Sequence, residues 1–202
     1  LMKETAKLAR SYSVRMHTHL AENDEDIIYT KQHFGMTPGE YIEELGWVGN
    51  DVWHAHCVKL NKEEIDLFSR TGTGIAHCPC SNMRLASGIA PLRKWIDEGV
   101  KVGLGVDGSS SNDSGHLLSE ARQAMLLQRV KLGANKFSPR EALFTATRGG
   151  AEVLNRDDIG QISIGKAADF AIYDLNKIAM SGSWSDPLAA LVLCTPSETA
   201  YT

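Results

Sequence analysis

Four short apolar runs rich in β-branched residues, at 14–20, 52–58, 73–78 and 100–106, recur along the chain, and segments of helical period separate them. Residues 1–12 carry the pattern of the end of an amphipathic helix. Asn23 or Asp24 is placed to cap a helix through Phe34. Thr37, Pro38 and Glu40 form a capping box with proline at the first helical position. Gly49, Asn50 and Asp51 make a turn. Asn61 with Glu64 opens a further helix that Gly72 closes. Residues 79–82 are expected as loop, 91–98 and 117–132 as helices. Ser138 with Glu141 opens a last helix that runs, with a break at Gly149 and Gly150, to Leu154. Strand followed by helix, four times over, predicts an α/β fold with a parallel sheet and helical crossovers. Periodicity alone does not separate a closed barrel from an open doubly wound sheet.

The texture changes after residue 157. Residues 158–176 hold two short alternating runs around Gly165 and Lys166 with no helix between them, and an apolar run follows at 188–193. The division expected is therefore 1–157 and 158–202. The chain starts at Leu1 inside a helix-like pattern and stops at Thr202 soon after the last apolar run, so a fragment lacking sequence at both ends is expected.

Composition narrows the function classes. The 202 residues carry 21 Lys plus Arg against 25 Asp plus Glu, with no basic run to track a phosphate backbone, which argues against nucleic-acid polymers as partners. No apolar run approaches the roughly 18 residues of a membrane span, and no signal peptide is visible. The four cysteines, Cys57, Cys78, Cys80 and Cys194, form no Cys-x-x-Cys pair, which favours a reducing cytosol.

Every predicted strand ends in a residue able to bind a ligand. His19 and Glu22 follow the first, His56 the second, His77 the third and Asp107 the fourth, the rim on which (β/α)₈ barrels build their active sites. Period two places His17 and His19 on one face, and likewise His54 and His56. A metal ligand beside a carboxylate that can move protons is what activating a water molecule requires. The bland alternatives are a packed or solvated histidine, and for Asp107 a turn residue. Gly103-Leu104-Gly105-Val106-Asp107-Gly108 satisfies a dinucleotide-binding pattern, but its glycines lie inside the apolar run instead of opening a helix. Tight packing around the strand explains them better. A structural zinc module from His56, Cys57, Cys78 and Cys80 is a rival of another class, although cysteines one residue apart seldom chelate one ion.

His19-Leu20-Ala21-Glu22, Ala55-His56-Cys57-Val58, His77-Cys78-Pro79-Cys80-Ser81-Asn82 and Gly105-Val106-Asp107-Gly108-Ser109-Ser110-Ser111-Asn112 occur in this order at strand spacing. Together they resemble the amidohydrolase superfamily, in its branch of metal-dependent aminohydrolases acting on purines, pyrimidines, adenosine derivatives and triazines. The resemblance implies that residues 1–157 are strands five to eight of a (β/α)₈ TIM barrel and that residues 158–202 belong to a small composite β-sandwich. It implies one divalent metal ion, zinc first and iron second, with His19 and Asp107 as ligands. Glu22 is implied as the proton shuttle, and His56 as the holder of the attacking water or the developing oxyanion. His77, Asn82 and Ser111 are implied as substrate contacts, and His17 as a supporting residue. The activity implied is hydrolytic deamination of a small amino-substituted heterocycle, 8-oxoguanine to urate and ammonia being the foremost expectation, by a cytoplasmic enzyme that is a homo-oligomer at full length. Triazine, pterin or other purine aminohydrolases and chlorohydrolases are the alternatives. The family's first-strand His-x-His pair has no separate copy here, so this polypeptide alone is expected to bind metal poorly and to be inactive.

Overall fold

Local signals set the boundaries of the elements. In the computed structural model, which describes residues 1–194, helix α1 (Met2–Ser11) leads into strand β1 (Met16–Leu20). Helices α2 (Asp24–Phe34) and α3 (Pro38–Glu44) follow, the latter started by Thr37, whose side chain accepts the Glu40 N–H. Strand β2 (Val52–His56) precedes α4 (Lys62–Thr71), which Asn61 caps and Gly72 ends at φ +73°, a left-handed conformation natural to glycine. Strand β3 (Gly74–His77) gives way to two short helices, α5 (Pro79–Arg84) and α6 (Leu92–Asp97). Strand β4 (Val102–Leu104), the long helix α7 (Leu117–Leu132) and α8 (Pro139–Phe144) complete the repeats.

The expectation of a loop after Cys78 is corrected by α5. Pro79 occupies its first turn, where a missing N–H costs nothing, so the proline that suggests a loop begins a helix. The expected break at Gly149 and Gly150 is a π-helical turn (Thr145–Gly149) that passes directly into α9 (Gly150–Val153). Crowding demands glycine there. A Cβ on Gly149 would lie 2.2 Å from the Val102 carbonyl oxygen, and one on Gly103 would lie 2.8 Å from the Gly150 Cα. Gly103 of β4 thus serves close helix–strand approach, as expected.

All three ladders are parallel, and the strand order is β1-β2-β3-β4. Consecutive strands are always spatial neighbours. A doubly wound sheet reverses direction at a switch point, whereas a barrel advances one strand at a time, so the order resolves what periodicity left open. The sheet's outer face packs on the helices through Phe68, Ile75, Leu92, Trp95, Met125 and Phe137, each fully buried. Side chains as large as these each remove about 1.5–3 kcal/mol of apolar transfer energy from water, and this layer holds the strand tips in place.

Beyond α9, residues 158–176 are largely irregular, with a turn at Ile164 and Gly165 and an isolated bridge at Ile172. Two 3₁₀ turns (Ile178–Met180 and Ser183–Ser185) lead to α10 (Pro187–Cys194), which packs on α7 and α8 and contains the expected apolar run. Residues 195–202 of the expected second domain lie outside the described residues. Among the described residues no helix is long and apolar enough to cross a membrane.

Candidate active site

Alternation along β1 buries Met16 and Leu20 and turns His17 and His19 to the opposite face, their rings 5.9 Å apart. His17 stacks on Trp53 at 5.2 Å, and its Nδ1–H donates to the Trp53 carbonyl at 3.2 Å. Burial lowers the pKa of His17 despite that bond. The ring is committed to β2, consistent with a supporting residue.

The second strand departs from simple alternation. Thr18 pairs with His54 and Leu20 with His56, so parity assigns both β2 histidines to the helix-facing side. His54 goes there: it is fully buried, 5.5 Å from the Phe68 ring, with Nε2 bonded to the Trp47 carbonyl at 3.0 Å. Burial pushes its pKa down to about 4, so it is neutral near pH 7. His56 does not follow. Its φ is +69° and that of Cys57 is +54°, a left-handed excursion at the strand tip, and its ring lies 5.1 Å from that of His19. The expectation that the two histidines share a face is corrected here, because the backbone leaves the strand conformation at His56. Ala21, just before Glu22, and Asp107 also have positive φ, at +47° and +63°. Such conformations cost on the order of 1–3 kcal/mol each and gather where geometry serves chemistry.

These excursions bring four expected residues together. His19 Nε2 lies 3.7 Å from Asp107 Oδ1. His56 Nε2 lies 3.7 Å from Glu22 Oε2 and 3.7 Å from Asp107 Oδ2. His19, His56 and Asp107 each point a ligand atom into one spot, all within 4.8 Å of one another.

Three neighbouring residues hold this set, all from the segment after β3. Ser81 Oγ–H donates to Asp107 Oδ2 at 2.5 Å, Asn82 Oδ1 takes the His56 Nδ1–H at 2.8 Å, and Ser87 Oγ–H donates to Glu22 Oε1 at 3.1 Å. Ser111 adds a second donor to Asp107 Oδ2 at 3.1 Å. Burial opposes ionisation of Asp107, but Ser81, the Gly108 N–H, the His56 ring and Ser111 together hold its pKa below the usual carboxylate range. Asn82 is fully buried and Ser111 nearly so, and both spend their side chains on other site residues. His77 is buried too, edge-on to Trp95 at 5.8 Å, and desolvation pushes its pKa down to about 3. The structure thus sets Asn82, Ser111 and His77 in the wall behind the converging groups. Ser81 and Ser87 were missed as site residues. Hydroxyls in a short polar stretch resemble ordinary helix-start residues until the fold shows what they face.

The donor set fits a metal ion. His19 Nε2 and the ionised Asp107 carboxylate stand 3.7 Å apart, and beside them His56 Nε2 is buried with no hydrogen-bond partner among the described residues, its other nitrogen fixed by Asn82. An imidazole oriented by an outer hydrogen bond is the usual preparation for metal chemistry, and nitrogen with carboxylate oxygen suits zinc or iron. The cysteines form no such group among the described residues. Burial raises the thiol pKa of Cys57 well above its usual range and pushes those of Cys78 and Cys80 up to about 12, so all three remain protonated.

Residues 1–200 match the sequence profile of the Amidohydrolase family. The chain belongs to that family. Among its relatives is the 8-oxoguanine deaminase of Pseudomonas aeruginosa PAO1, 47% identical over 194 residues, covering 96% of this chain and 43% of the relative. The hydroxydechloroatrazine ethylaminohydrolase of Pseudomonas sp. strain ADP is 40% identical over 187 residues, covering 91% and 38%. The crystal structure of atrazine chlorohydrolase TrzN from Arthrobacter aurescens TC1 complexed with zinc superimposes with a TM-score of 0.93 at 39% identity, over 99% of this chain and 44% of that one. The chain spans less than half the length of each of these amidohydrolases.

Proposed function

We propose that the protein is a metal-dependent hydrolase that deaminates an amino-substituted heterocycle, with 8-oxoguanine as the first candidate. The observation that carries this reading is the convergence of Glu22, His56 and Asp107, with His56 Nε2 3.7 Å from a carboxylate oxygen of each acid. The 47% identity to an 8-oxoguanine deaminase supports the substrate. The zinc named in the TrzN structure supports the metal.

His19 and Asp107 are the proposed ligands, in company with donors from elsewhere in the full-length protein. When bound, a divalent ion lowers the pKa of water from about 16 toward 7. The chain's own residues then do the proton work. Asp107, kept ionised by Ser81 and Ser111, accepts a proton from the attacking water. Glu22, held by Ser87, carries a proton from that water to the ring nitrogen beside the amine-bearing carbon. His56 presents Nε2 to the attacking water or to the oxyanion that forms as it adds. Asp107 passes its proton to the amine, the C–N bond breaks and ammonia leaves, so that 8-oxoguanine and water give urate and ammonia. We place residues 1–157 in the barrel and the irregular segment 158–176 in a composite β-sandwich, in a cytoplasmic homo-oligomer.

The second reading is a triazine hydrolase that releases an alkylamine or chloride at the same centre, supported by the likeness to TrzN and the ethylaminohydrolase. Ammonia, alkylamine and chloride release by the full-length protein over 8-oxoguanine, pterins and triazines separates the two. Fast urate formation supports the first. Triazine turnover without 8-oxoguanine turnover overturns it in favour of the second.

A further inference from the structure

A carboxylate that the proposed reaction does not use lies behind the site. Glu120, on α7, is fully buried. Among the described residues its hydrogen-bond partners are uncharged: Oε2 takes the Cys80 backbone N–H at 3.1 Å, Oε1 takes the Asn112 Nδ2–H at 2.7 Å, and the Cys80 thiol also bonds the carboxylate. Desolvation raises its pKa in spite of these bonds. A buried acid with only neutral partners is expensive to keep, and its bonds reach two segments.

They join the two segments that aim the reactive groups. Cys80 stands immediately before Ser81 and Asn82, which bond Asp107 and His56. The amide of Asn112 donates a second time, to the Val106 carbonyl at 2.8 Å, one residue before Asp107. One carboxylate therefore ties the start of α5 to the tip of β4. We infer that Glu120 is a positioning residue that sets the spacing between His56 and Asp107 through Cys80 and Asn112. Its role rests on the reading above only as far as turnover is concerned, since the spacing is a property of the fold.

The test uses the full-length protein and Glu120→Gln, which keeps the shape but replaces one acceptor with an NH₂ donor facing N–H groups. The expected result is a fall in kcat of at least tenfold with KM within about twofold. The His56 ring signals should also shift in a ¹H–¹⁵N imidazole spectrum as Asn82 moves. A double-mutant cycle with Ser81→Ala should be strongly non-additive, because both changes act on one linkage. Unchanged ring signals with kcat within twofold of wild type, or additive effects, overturn the inference. Should Glu120→Gln fail to fold, Asn112→Ala cuts one of the two ties and should give a smaller kcat loss at the same KM. An unaltered kcat in that variant also overturns it. If the wild-type protein turns over no heterocycle, the proposed function fails, while the His56 ring spectrum still decides the positioning role.

Discussion

Asn82 Oδ1 accepts the Nδ1–H of His56 at 2.8 Å, which fixes the ring and turns Nε2 toward Glu22 and Asp107. Asn82→Ala frees the ring to rotate and to exchange tautomers. Loss of such an outer partner typically costs about 10–100-fold in activity or metal affinity. Steady-state kinetics of the full-length variant should show a loss of activity in that range, with metal content unchanged because His56 is outside the proposed ligand set. Wild-type kinetics would remove Asn82 from the site.

Glu22 lies 3.7 Å from His56 Nε2 and is held by Ser87. Glu22→Gln keeps the Ser87 bond and the size of the side chain but carries no titratable proton. Turnover should fall by about 10²–10⁴-fold, with metal content unchanged because Glu22 is outside the proposed ligand set. Loss of metal in this variant would make Glu22 a ligand instead of a shuttle.

Two buried histidines predict how stability responds to acid. Burial, the leading cause, depresses His54 to about 4 and His77 to about 3, both below the ~6.5 of a free imidazole. Between those limits the unfolded chain binds more protons than the folded one, so stability rises with pH. It is fully present above about pH 6.5. It is lost as pH falls through about 4 for His54 and about 3 for His77, with a slope of up to about 1.4 kcal/mol per pH unit for each ring. His54→Gln should remove about one proton from the slope of urea-unfolding free energy between pH 4.5 and 6.5. Equal slopes in variant and wild type would show that His54 is protonated in the folded state.

Gly149 meets the Val102 carbonyl so closely that an added Cβ would sit 2.2 Å from its oxygen. Gly149→Ala should push the π turn off β4 and destabilise the fold by about 1–3 kcal/mol, read as a lower urea midpoint at constant m-value. An unshifted midpoint would mean that β4 and the turn part without cost.

Much of this architecture was legible because its signals are local. The capping boxes at Thr37, Asn61 and Ser138 appear in the structure with both reciprocal bonds. Of the polar residues at the strand ends, His19, Glu22, His56 and Asp107 lie together, while His77 is buried against Trp95. What stayed hidden depends on backbone conformation or on partners distant in sequence. Nothing local marks φ of +69° at His56, so parity alone sent it to the wrong face. Ser87 reaches Glu22 across 65 positions of sequence, and Glu120 meets Cys80 across 40. No periodicity encodes such pairs. Pro79 misled because it suits both a loop and a first helical turn, and the packing of α5 against α7 decides between them.

The consecutive strand order has a consequence for the birth of the molecule. Each ladder joins a strand to the next one in the chain, so β2 can settle on β1, then β3 on β2, without waiting for the far end of the polypeptide. Pairings between successive strands carry a smaller loop-closure cost than pairings across the whole chain. The reactive groups obey a different schedule. His19 and Glu22 emerge before their partner Asp107, which lies past β4, and the tie through Glu120 comes later still. During synthesis the scaffold can therefore be well formed while its chemistry is still dormant.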